Sequence, residues 1–137
     1  MVSPQSLPLL HLHLALHPAV LRLIRRIQEV GAQHGRDVCV CGEMASQPLM
    51  AFALIGLGVH TLSVSPRSVS LMKRLIRGIS AGIAIEAAEA ALGSKTAAIA
   101  ERELKRRLHA AFGDAPFLQS GLPTFVEGNI ISGLETS

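Results

Sequence analysis

The stretch DVCVCGEMAS, Asp37 to Ser46, sets two cysteines one residue apart in a short β-rich run that Gly42 stops. It reads as a strand with both faces buried, as in a parallel sheet covered by helices. Alternation along a strand puts Cys39 and Cys41 on one face and Val38 and Val40 on the other.

The flanks give the strand its setting. Before it, HPAVLRLIRRIQEVGAQHG opens with Pro18, whose fixed φ suits a first helical turn. Val20, Ile24, Ile27 and Val30 follow at spacings of four, three and three, an amphipathic helix ending at Gly31 or Gly35. After it, SQPLMAFALIGLG has Ser46 or Gln47 as a cap, Pro48 near the start, and Gly56 and Gly58 at the end of a short apolar helix.

HTLSVS then reads as a second strand, with Leu62 and Val64 on one face and Thr61, Ser63 and Ser65 on the other. SVSLMKRLIRG, residues 68–78, gives a third helix with Val69, Met72 and Ile76 on one side. Helix and strand alternate with short connections, as in βα units around a parallel sheet, so the fold class is α/β. Beyond Gly78 the chain is rich in Ala and charge and predicts two helices that part near Gly93 and Ser94, with Ser94 as the cap of the second. From Asp114 onward no period is visible, which suggests loop or disorder.

Composition narrows the class. The chain has 137 residues, a size that suits one domain, and no Trp or Tyr and only four Phe. Its core must therefore come from Leu, Ile, Val and Ala. The net charge of +3 sits in helical clusters such as Arg22, Arg25 and Arg26, which read as solvated faces. With no stacking aromatics, these clusters argue against nucleic-acid binding. The first residues lack the charged start of an export signal, and no long apolar run is free of His, Arg or Pro, so no segment is expected to span a membrane. The two thiols are then expected to be reduced and cytoplasmic.

A structural zinc wants four ligands, and this chain offers two cysteines and scattered histidines. Packing is the plainer reading for Cys39. Cys41 stands at the carboxyl end of its strand, where parallel α/β sheets and barrels place catalytic groups. His11, His13 and His17 could pair on a metal, His11 with His13 on a strand or His13 with His17 on a helix, but no carboxylate lies nearby. His60 and His109 read as surface or capping residues.

In order and spacing, HPAVLRLIRR, VCGEMA, LIGLGVHTLSVSP and VSLMKRLIRG resemble the end of the phosphoenolpyruvate-binding barrel of enzyme I. Enzyme I is the phosphoenolpyruvate–protein phosphotransferase of the bacterial sugar phosphotransferase system, and it has a nitrogen-related paralogue. The likeness runs from about His17 to Arg77. It implies a partial (β/α)8 barrel, the last two βα units, over residues 17–78. An unmatched leader would precede it over 1–16; helices over 79–112 and a loop or disordered tail over 113–137 would follow.

The resemblance also implies a chemistry. In that family phosphoenolpyruvate gives its phosphoryl group to a histidine of a separate domain, and the enolate left behind takes a proton at carbon to become pyruvate. The donor would be Cys41, and a free thiol with a pKa of about 8.5 stays protonated at neutral pH. Gly42 would let the backbone approach the substrate, and Glu43 would partner a neighbouring side chain. The family's phosphoacceptor is a phosphocarrier protein, and Mg2+ is its implied cofactor.

The chain departs from the family where Ser46-Gln47-Pro48 replaces the usual Gly-Asp-Pro, where Ser70 replaces a proline, and where the leader lacks the family's Asn-Asp pair and arginine. The magnesium ligands are thus not expected in this chain. A closed barrel needs eight strands and roughly 250 residues. The expectation is a truncated or split enzyme, inactive alone, whose open strand edges invite self-association or an enzyme I-type partner. The alternative is a non-catalytic module docking on full-length enzyme I through Ile99, Leu104 and Leu108, although the plainer reading of these residues is that they cover the chain's own core.

Overall fold

The computed structural model describes residues 14–116. Over that span the protein is mostly helical with two parallel strands. The order is α1 (Pro18–Gln33), β1 (Cys39–Cys41), α2 (Glu43–Ser46), α3 (Pro48–Gly56), β2 (Thr61–Ser63), a 3-10 turn (Pro66–Ser68), α4 (Val69–Gly78), α5 (Ala81–Leu92) and α6 (Ala97–Phe112). The strands pair in register Cys39 with Thr61, Val40 with Leu62 and Cys41 with Ser63. Among the described residues each strand keeps one edge without a strand partner.

The core sits to one side of this small sheet. Residues 48–54 of α3 are all buried, and the helix is enclosed chiefly by α5 and α6. Helix α5 makes this possible by presenting Ala84, Ala87, Ala88 and Ala91, whose small side chains let backbones come close. At the nearest approach is Gly56: a Cβ there would collide with the Ala84 carbonyl and lie 2.7 Å from the Ala88 Cβ. Leu104 and Leu108 of α6 are buried in the same core and Ile99 is half-buried, so the stripe considered for docking covers the chain's own interior.

Several sequence expectations need correction. On α1 the fully buried residue is Leu21, while Ile27 is 50% and Val30 37% exposed. The helix touches the core through its first turns and through α5, and nothing among the described residues covers its Leu23–Ile27–Val30 stripe. On α4, Met72 and Leu75 are buried, whereas Val69 and Ile76 face outward. An apolar groove of about 490 Å³ runs beside β2, lined by Val59, Leu62, Val64, Met72, Ile76 and Ile79.

Strand β1 is not buried on both faces. Val40, and Leu62 beside it, pack partly against the core, but Cys39 and Cys41 are exposed. The packing role read for Cys39 therefore fails: two strands carry helices on one face only, and no layer among the described residues covers the other.

The helix ends also differ in detail. Gln47 occupies the cap position of α3 without a side-chain bond. Thr96, rather than Ser94, caps α6 by accepting from the Ile99 N–H at 3.2 Å. Ser94 instead donates to the Ala90 carbonyl at the end of α5, 2.9 Å away. His17 caps α1, its Nδ1 accepting from the Ala19 N–H at 3.1 Å. The α1 arginines do more than face solvent: Arg22 donates to the Leu92 carbonyl at 2.7 Å and Arg25 pairs with Glu89 at 2.7 Å, tying α1 to the C-terminal turn of α5.

Candidate functional site

Parallel pairing brings the carboxyl ends of both strands together, so the segments 41–46 and 63–68 lie side by side. Cys41 is the last residue of β1 and its thiol is exposed. Its face is shared with Cys39 and, across the register, with Thr61 and Ser63, all exposed. The result is an open face bearing two thiols and two hydroxyls.

Gly42 turns the chain from strand to α2 with φ 85° and ψ −165°, a combination that side chains with a Cβ avoid. Among the described residues, its two chain neighbours aside, no atom lies within 4 Å of where its Cβ would stand. The backbone conformation, not crowding, requires glycine here, and the space over the turn stays open. Glu43 begins α2, exposed, and no hydrogen bond or ion pair holds it among the described residues.

Ser46 joins the two strand-end loops. Its buried hydroxyl donates to the Gly42 carbonyl at 3.5 Å and accepts from the Ser65 N–H at 3.2 Å. Ser65 continues the chain of hydroxyls to Ser68 Oγ at 2.9 Å. The sequence reading took Ser46 as a possible helix cap and as part of the departure from the Gly-Asp-Pro that the resemblance implies, and neither foresaw this clamp. Beside it the Oε1 of Gln47 is buried and has no hydrogen-bond partner among the described residues.

His11 and His13 lie outside the described residues, and His17 is a helix cap. His60 is exposed, and His109 Nδ1 stands 3.6 Å from Asp114 Oδ1 at the end of α6. No group of three or more His, Cys, Asp or Glu side chains that could hold a metal occurs among the described residues. Mg2+ asks for near-octahedral oxygen ligands, carboxylates foremost. The groups beside Cys41 are one carboxylate, two thiols and neutral hydroxyls, a set that does not fit it. Among the described residues no helix is long and apolar enough to cross a membrane.

Residues 3–81, more than half of the chain, match the family described as PEP-utilising enzyme, PEP-binding domain. The chain belongs to that family. The match reaches further toward the amino terminus than the residue-by-residue likeness that starts near His17.

Its relatives include enzyme I-type proteins. A protein of the phosphoenolpyruvate-dependent phosphotransferase system of Salmonella typhimurium is 46% identical over 65 residues, 47% of this chain and 9% of that protein. A multiphosphoryl transfer protein of Xanthomonas campestris is 42% identical over 83 residues, 61% of this chain and 10% of the relative. A phosphoenolpyruvate-protein phosphotransferase of Chlamydia pneumoniae is 33% identical over 105 residues, 77% of this chain and 18% of the relative. The chain thus spans less than a fifth of the length of each.

Proposed function

We propose that the chain carries the carboxyl-terminal part of a phosphoenolpyruvate-binding (β/α)8 barrel of the enzyme I type, and that Cys41 is the group that protonates the enolate to pyruvate. The observation that carries this reading is the exposed Cys41 thiol at the carboxyl end of a parallel strand, next to the open turn at Gly42. A thiol there delivers its proton to a carbon nucleophile lying over the turn. Thr61 and Ser63 flank the approach with hydroxyl groups, and Glu43 marks its rim.

The partial-barrel reading is supported by the free edges of β1 and β2, the groove beside β2 and the exposed stripe Leu23, Ile27 and Val30. These are surfaces that further strands and helices of a barrel would cover. On this reading the chain forms no enolate by itself, works in the cytoplasm, and depends on additional barrel elements, from a second copy or an enzyme I-type partner, that hold magnesium and phosphate. A phosphocarrier protein would be the final phosphoacceptor. The docking-module alternative loses its main support, because Leu104 and Leu108 are spent on the internal core.

The test is reconstitution with the remaining part of a related phosphotransferase, following pyruvate release from phosphoenolpyruvate. Wild type should support turnover, and Cys41→Ala should lower it by about 10²–10⁴-fold, the range of a lost general acid. Equal rates would remove Cys41 from the chemistry.

A further inference from the structure

The feature that the enolate chemistry leaves unused is the second thiol. Cys39 and Cys41 are both exposed and face the same way from one strand. Cys39 makes only a long contact to the Val40 carbonyl, 3.9 Å, and no hydrogen bond holds the Cys41 thiol among the described residues. Two exposed thiols at a strand's fixed spacing, one of them held only by a long contact, can act as a ligand pair.

The spacing decides what they bind. A strand rises about 3.3 Å per residue, so positions two apart are about 6.6 Å from Cα to Cα. Disulfides favour Cα separations of about 5.5–6 Å with Cβ atoms turned toward each other, so side chains projecting in parallel at the far limit close one only by buckling the strand. With the zinc–thiolate length of about 2.3 Å as a guide, a two-coordinate ion spans roughly 4.6 Å between sulfurs. Each thiol then needs to lean inward by only about 1 Å, which a change in χ1 supplies without backbone movement.

The ligand chemistry points the same way. Thiolates are soft donors and select ions of the cuprous class. Among the described residues no third His, Cys, Asp or Glu joins the pair, so four-coordinate zinc is not served. We propose that Cys39 and Cys41 form a two-coordinate site for a soft monovalent ion of the cuprous class on the open face of the sheet. Binding forms two metal–sulfur bonds and releases the two thiol protons to solvent, with no change of oxidation state. An ion seated there takes away the Cys41 proton. The site itself rests on the thiol pair alone, whether or not Cys41 donates a proton in catalysis.

The test titrates the reduced full-length chain, without oxygen, with cuprous ion supplied as its acetonitrile complex against a competing coloured chelator. The expected result is one ion per chain, with the molar mass by light scattering unchanged. Cys39→Ser and Cys41→Ser should each weaken binding by about 10²–10⁴-fold, the gain lost when two linked ligands become one. Both positions are exposed, and far-UV circular dichroism checks that the variants keep the fold. Undiminished affinity in either variant, one ion shared between two chains, or displacement of the cuprous ion by equimolar zinc would each overturn the site. None of these readouts uses pyruvate formation, so the proton-donor assignment stands or falls separately.

Discussion

The hydroxyl of Ser46 accepts the backbone N–H of Ser65 at 3.2 Å, nineteen residues further along the chain, and so clamps together the loops that leave the two strands. The same hydroxyl donates to the carbonyl of Gly42, the residue after the thiol that ends β1. One buried side chain therefore fixes how the Cys41 turn sits against the neighbouring strand end. Ser46→Ala leaves the Ser65 N–H without its acceptor and should cost about 1–3 kcal/mol. The urea midpoint should fall with an unchanged denaturant slope, since the surface exposed on unfolding stays the same. An unaltered midpoint would mean that water replaces the clamp at no cost.

Gly56 is the tightest crossing in the core. A methyl group there meets the backbone carbonyl of Ala84, which cannot swing aside as a side chain would. Gly56→Ala should destabilise the chain by about 1–3 kcal/mol or more through forced separation of α3 and α5. The measurement is thermal unfolding, and the control is Ala88→Gly in the Gly56→Ala background. It should rescue little, because it leaves the clash with the backbone in place.

Two other glycines separate conformation from space. Gly42 and Gly82 both have open surroundings at the Cβ position, but only Gly42 has a positive φ. Gly42→Ala should cost about 1–3 kcal/mol in backbone strain and shift the Cys41 amide resonance. Gly82→Ala, inside α5, should stabilise by about 0.4–1 kcal/mol by restricting the unfolded chain. Similar effects at the two positions would contradict the assigned turn geometry.

Glu103 carries a pH dependence. The hydrogen bond from Arg106, 2.8 Å long, is the first cause holding its carboxyl below the usual carboxylate range. A depressed folded-state pKa contributes stability above the unfolded-state pKa, and that contribution is lost as the pH falls through the folded value. Arg106 is exposed and Glu103 partly so, and solvent screening keeps the gain small. Arg106→Ala should raise the Glu103 pKa, as followed by carbon-detected NMR titration, with little change in the midpoint of unfolding at neutral pH.

Local signals were legible wherever a single element decides them. Pro18 and Pro48 mark helix starts, and Gly93-Ser94 marks the break between α5 and α6. The alternation in Thr61-Leu62-Ser63 assigns the two faces of β2, with Leu62 turned toward the core. Periodicity alone misread α1, because it shows which residues share a face but not whether another element arrives to cover them. Ile27 and Val30 share a face with Ile24, yet only the first turns of the helix meet the core. For the same reason the fate of Cys39 was not readable. A thiol in a β-rich run is buried only if a layer lies above it.

The order and type of the elements, the parallel pairing of two strands and the family itself follow from this sequence, because backbone preference, turn residues and motif spacing are properties of the chain taken locally. Tertiary structure decided what those elements enclose. Helix α3 is enclosed in the core chiefly by the Ala-rich helix α5, close contact at Gly56 making that packing possible. Among the described residues the opposite face of the two strands is left bare, and both thiols with it.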